Sequence, residues 1–143
     1  MRPSLVAELF LDASYAIALS SISDKHHEQA LTLAREIEID PTIRLVTTRA
    51  VLLEIGNALA RQKYRSIAVQ LLNSLENDST VVIVPLSEPL CAAAMQLFQS
   101  RADKEWGLTD CVSFVVMQER AIAEALTADA HFQQAGFRPL LLG

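Results

Sequence analysis

Five short apolar runs alternate along the chain with segments of helical periodicity, and this alternation restricts the fold more than any other feature. The runs are residues 5–11, 44–47, 80–85, 125–128 and 137–142. Thr80 to Pro85 is rich in β-branched residues, and Leu5 to Leu11 is apolar except for Glu8. Both patterns suit strands buried on two faces. Between the runs, Ala30, Leu33, Ala34 and Ile37 mark one amphipathic helix after Ser23-Asp24, with Pro41 beyond its end. Val51, Leu52, Ile55, Ala58 and Leu59 mark a second helix, with Thr48 as its cap. Ile67, Leu71, Leu72 and Leu75 mark a third from about Ser66, and Ser87-Glu88 opens a fourth through Leu97, Phe98 and Ala102. Asp103 to Gly107 reads as a loop, Asp110 to about Arg120 as a buried helix capped by Thr109, and Asp129 to Gln134 as a short last helix. Strands that alternate with helices or helix pairs predict an α/β fold, with a parallel sheet covered on both faces.

Length and composition set the scale. With 143 residues, 51% of them hydrophobic, the chain is predicted to form a single domain over residues 1–143 with one core. Its two cysteines, Cys91 and Cys111, form no CxxC or Cys/His pattern, so zinc-finger and thioredoxin readings have no foothold. The longest stretch without Asp, Glu, Lys or Arg is the 12 residues from Pro89 to Ser100, short of the roughly 18 that a membrane span requires. Glu8 and Asp12 interrupt the run a secretory signal would need. These features predict a soluble protein of the cytoplasm with no membrane contact. The net charge of -5 excludes a protein that simply coats nucleic acid, though not one that cuts it.

Ligands of open parallel sheets bind beyond the carboxyl ends of the strands. Asp12 closes the first run, Asp129 closes the fourth and Asp110 opens the buried helix. Each has an ordinary role available as a helix cap or first-turn acid. Glu54 has no such role. It lies in mid-helix at the border of the apolar stripe, where a surface carboxylate near Arg61 is the plain alternative. Four carboxylates brought to one end of a sheet repel one another unless a cation neutralises them. Hard oxygen donors in that number suit Mg²⁺ or Mn²⁺ and not zinc, and such a site suits metal-assisted phosphodiester hydrolysis.

The segments LFLDASYAIAL, TTRAVLLEIGNAL, DKEWGLTDCVSFVVM and ALTADAHFQQAGF, in this order, resemble the PIN domain, most closely the VapC-like toxins of bacterial toxin–antitoxin pairs. The resemblance spans nearly the whole chain and rests on all four segments together. It implies a PIN-like three-layer α/β/α sandwich with a central parallel sheet, and an endoribonuclease dependent on Mg²⁺ or Mn²⁺. It further implies an RNA substrate, a cognate antitoxin and a homodimer. Asp12, Glu54, Asp110 and Asp129 match the family's acidic positions, and so become the catalytic and metal-binding candidates. Thr109 and Thr127 match hydroxyl residues that steady such a site, and Asn57 matches a recurrent polar position. The alternatives are a catalytically weak PIN-like binding module and an RNA-processing PIN protein with no toxin role. A receiver-type phosphoacceptor wants an adjacent acidic pair, and a haloacid-dehalogenase-type phosphatase wants an Asp where Ser14 stands.

Other polar residues carry weaker expectations. Asp103 reads as a solvated loop charge, and His26 and His27 as surface residues. His131 reads as an exposed residue beside a helix start, with an approach to phosphate as the lesser alternative. Arg61, Lys63 and Arg65, with Arg49 nearby, form a basic run open to RNA phosphates or merely to solvent. Trp106 and Phe132 are expected in the core or at an antitoxin contact. Leu53 and Ala60 lie opposite their helix stripe and hint at a second covered side, in a dimer or under the following helix.

Overall fold

A computed structural model describes residues 7–142. The chain order is β1 (Ala7–Leu11), α1 (Ala13–Ser20), α2 (His27–Ile39), β2 (Ile43–Thr48), α3 (Arg49–Ala58), α4 (Gln62–Asn77), β3 (Val81–Val84), α5 (Glu88–Ser100), α6 (Leu108–Glu119), β4 (Glu124–Leu126), α7 (Ala130–Gln134) and β5 (Arg138–Pro139). Among the described residues the five strands form one sheet in the order β3-β2-β1-β4-β5, and every pairing is parallel. From β1 the chain steps outward to β2 and β3, then returns to the other side of β1 for β4 and β5. Because parallel crossovers are right-handed, this reversal sends α1 to α4 over one face and α5 to α7 over the other. The result is the expected α/β/α sandwich.

The core forms where these layers meet the sheet. Phe10, Val46, Ala125 and Leu126 from the strands are fully buried, as are Val51, Ile55, Met117 and Phe132 from the helices. An aromatic cluster fills the α6–α7 side. The Phe114 ring meets Trp106 and Phe132 edge-on, each at 5.0 Å between centroids, and Phe10 lies 6.3 Å from Phe132. Edge-to-face packing suits the ring quadrupoles and adds to simple burial. Through Phe132 this cluster anchors α7, a helix of only five residues.

Several boundaries differ from the sequence expectation for identifiable reasons. Helix α2 starts at His27, because the Asp24 carboxylate accepts the His26 N–H at 2.8 Å and closes a turn ahead of the helix. Helix α4 starts at Gln62, four residues before Ser66, since its polar first turn carries no apolar mark. Its buried face is set by Ala68 and Leu75, while Ile67 is partly exposed. Gly107, not Thr109, is the N-cap of α6, which places Asp110 at the third helical position. Strand β5 is shorter than the run 137–142, because the chain turns after Pro139, where the Leu142 N–H bonds back to the Pro139 carbonyl. Gly136, with φ of 95°, turns the chain from α7 into β5. Leu5, expected at the start of the first strand, lies outside the described residues.

Truncating Phe132 to Ala removes the side chain on which α7 rests. Chemical denaturation should report a loss of about 3 to 5 kcal/mol, the usual range for a fully buried Phe.

Candidate active site

Strands β1 and β4 are neighbours, yet the chain leaves them in opposite directions, so the crevice beyond their carboxyl ends is the switch point of the sheet. Asp12 directly follows β1, and Thr127, Ala128 and Asp129 directly follow β4. Asp12 occupies the N-cap position of α1, but its side chain caps no helical N–H. Its Oδ2 instead accepts the Ser14 hydroxyl at 2.9 Å and the Thr127 hydroxyl at 2.8 Å. The Ser14 oxygen in turn accepts the Ala128 N–H, and the Thr127 oxygen accepts the Asp129 N–H, each at 3.0 Å. With these amides donating into the hydroxyl oxygens, the hydroxyl protons are left to point at the carboxylate. The network therefore favours a charged Asp12. Burial acts the other way and prevails: Asp12 is only 5% exposed, and desolvation raises its pKa despite the two hydroxyls, with the charge of Asp110 adding to the rise.

Helix α3 brings Glu54 to the same place. Thr48 accepts the Val51 N–H and fixes the start of the helix, while Val51, Leu52 and Ile55 pack into the core. Glu54 then sits at the edge of the buried stripe, half-buried, within reach of Thr109, whose hydrogen bond lowers its pKa. Its pKa is nevertheless pushed up to about 7, first by burial and then by the charges of Asp12, Asp110 and Asp129. A carboxyl that feels all three of the others lies among them. The four acids proposed from the sequence are thus brought to one end of the sheet.

Asp110 and Asp129 face each other across the N-termini of α6 and α7. Asp110 accepts the Gly107 N–H at 3.1 Å, and burial together with the charge of Asp129 raises its pKa. Asp129 caps α7 by accepting the His131 N–H at 2.8 Å. The capping roles read from the sequence are therefore real for Asp129 and partly so for Asp110, and absent for Asp12. His131 Nδ1 lies 3.2 Å from Asp110 Oδ2 and 3.4 Å from Asp129 Oδ1. Ligand atoms of Asp110, Asp129 and His131 all fall within 4.8 Å of one another, a group able to hold one metal ion. Asp12 and Glu54 stand outside this tightest group, and both have hydroxyl partners of their own in Ser14, Thr127 and Thr109. Among the described residues no Lys or Arg pairs with any of the four acids. The donor set, four unneutralised carboxylates and an imidazole, fits a divalent cation.

Two site residues escaped the sequence reading. Ser14 entered only as the residue standing where a haloacid-dehalogenase-type phosphatase has its second Asp, and His131 only as an exposed histidine able to approach phosphate. The remaining polar residues are largely occupied elsewhere. Asp103 pairs with Arg101, and Arg49 pairs with Glu76. Arg65 donates to the Ala60 carbonyl, and Lys63 lies over the Tyr64 ring. Trp106 donates to Gln134 and is buried, as is Phe132. Asn57 lines an apolar groove beside Glu54.

The chain belongs to the PIN domain family, whose sequence model matches residues 9–138. Its structure is similar to that of Mycobacterium tuberculosis VapC20, a sarcin–ricin-loop-cleaving toxin. That likeness has a TM-score of 0.80 and 26% identity, and covers 90% of this chain and 95% of the other. The fold is also similar to VapBC2 from Rickettsia felis, solved on a promoter DNA fragment, at a TM-score of 0.64 and 12% identity, over 92% of this chain and 96% of that one. FitAcB from Neisseria gonorrhoeae matches at a TM-score of 0.63 and 15% identity, over 92% and 94% of the two chains. No curated protein sequence matches the chain.

The raised pKa of Glu54 gives the metal-free protein a defined pH response. Its folded value of about 7 exceeds the ordinary 4.5, so the folded state binds more protons between the two. Stability is therefore present at the acid end and is lost as pH rises through about 7. Burial raises Asp12 and Asp110 as well, and they act in the same direction. In excess chelator the thermal midpoint should fall from about pH 5 to about pH 8, and Glu54→Gln, which cannot ionise, should reduce that fall.

Proposed function

We propose that this protein is an endoribonuclease dependent on Mg²⁺ or Mn²⁺ and the toxin of a toxin–antitoxin pair, working in the cytoplasm against RNA and restrained by a cognate antitoxin. The observation that carries this reading is the convergence of Asp12, Glu54, Asp110 and Asp129 at the switch point, where Glu54 responds to the charge of the other three. The likeness to VapC20 supports RNA as the substrate and a toxin as the role. The whole of residues 1–143 is read as one PIN domain.

Each residue contributes according to its surroundings. Asp12, held by Ser14 and Thr127, is the rigid acid that fixes the site. Asp110 and Asp129, presented from two helix N-termini, supply oxygen donors on the opposite side. These acids would hold a divalent cation, which would supply the Lewis acidity that phosphodiester hydrolysis needs near neutral pH. Glu54, half-buried beside these acids, is the carboxylate we assign to accept a proton from the attacking water.

Purified protein should cut RNA with Mg²⁺ or Mn²⁺ and stop when the ion is chelated. Asp12→Asn keeps the shape of the side chain but removes its charge, and should reduce cleavage by about 100-fold or more. Cleavage by that variant at the parent rate would remove the site from the mechanism.

The same reading includes a homodimer. Leu53, Leu86, Met95 and Leu108 are exposed apolar residues that line a groove of about 510 Å³ running up to Glu54. Leu53 is 58% exposed, so helix α4 does not cover it. Leu53→Asp should convert the dimer to a monomer in light scattering without lowering the thermal midpoint, since the side chain supports no core contact.

A further inference from the structure

We infer that His131 is a direct nitrogen ligand of the cation and that it makes the site selective for Mn²⁺ over Mg²⁺. The inference rests on the proposed metal site and goes beyond its acidic residues. Ligands on adjacent corners of an octahedron around an ion at about 2.1 Å are separated by about 3.0 Å, and opposite ones by about 4.2 Å. His131 Nδ1 lies 3.2 Å from Asp110 Oδ2 and 3.4 Å from Asp129 Oδ1, close to the adjacent spacing. Ligand atoms of all three residues fall within 4.8 Å of one another.

The surroundings hold the imidazole in this position. Its own backbone N–H is bonded to Asp129 Oδ1, and Phe132, the next residue, is fully buried in the aromatic cluster. The side chain is 31% exposed, so an ion beside Nδ1 remains open to solvent and substrate. In the tautomer that carries its proton on Nε2, the Nδ1 lone pair faces the two carboxylates. Without an ion, that lone pair would face only negative oxygens, and the opposite tautomer would donate to Asp110 instead. A cation turns the same geometry into a ligand set of two oxygens and one nitrogen. Mg²⁺ prefers oxygen donors and keeps its waters, whereas Mn²⁺, though also suited to oxygen and the weakest binder of the first-row series, tolerates a nitrogen donor better than Mg²⁺ does. One nitrogen in place of an oxygen therefore shifts the preference towards Mn²⁺.

Pulsed electron paramagnetic resonance on the Mn²⁺-loaded full chain tests this without a substitution. A directly ligated imidazole gives a ¹⁴N hyperfine coupling, and His131→Gln should abolish it. Calorimetric titration should show that His131→Gln weakens Mn²⁺ binding about 10-fold or more while changing Mg²⁺ binding far less. Bound Mn²⁺ with no nitrogen coupling, or an equal loss for both ions, would overturn the role of His131 and leave the acidic site standing. Failure of the unmodified protein to bind either ion would instead overturn the metal site as a whole.

Discussion

Everything at the mouth of the sheet depends on one buried carboxylate, Asp12, held where the hydrophobic core ends. Leu11 and Leu126 pair across β1 and β4, and the Asp12 N–H continues that pairing to the Leu126 carbonyl at 3.2 Å. The next atoms outward are the Asp12 carboxylate and the hydroxyls of Ser14 and Thr127. The same network thus ends the core, joins the two central strands and fixes the first acid of the site. Removing its charge from water is costly, and the two hydroxyl donors recover only part of that cost, so its pKa remains raised.

The other acids are set around this point by elements that are themselves well anchored. Glu54 belongs to a helix whose adjoining face is buried through Val51 and Ile55. Asp110 begins a helix buried nearly all round, and Asp129 caps one pinned by Phe132. None of them can retreat from the others without disturbing the core. Their repulsion is built into the fold, and a site of this kind is more stable with a cation than without one.

Much of this was legible in the sequence because it follows from local periodicity. The apolar runs marked the strands, the helical stripes marked the crossovers, and the combination required parallel pairing. Glu54 stood out because a charge at the edge of a buried stripe in mid-helix has no capping role. Boundaries were less legible where polar residues begin a helix, as at Gln62, or where a turn closes a strand inside an apolar run, as after Pro139. Thr109 read as a cap, yet Gly107 takes that position and Thr109 is free to bond Glu54.

The sequence by itself determined the class of fold and singled out the four acids as candidates, since strand and helix spacing and the resemblance of four segments are local features. Only the tertiary structure decided which groups meet. Ser14 and Thr127 are 113 residues apart, and their hydroxyls come within 3.1 Å because β1 and β4 are neighbours in the sheet. His131 gains its place between Asp110 and Asp129 only through the packing of α7 against the aromatic cluster. Contacts of this kind depend on strand order and helix docking, which are properties of the whole core and leave no local pattern to read.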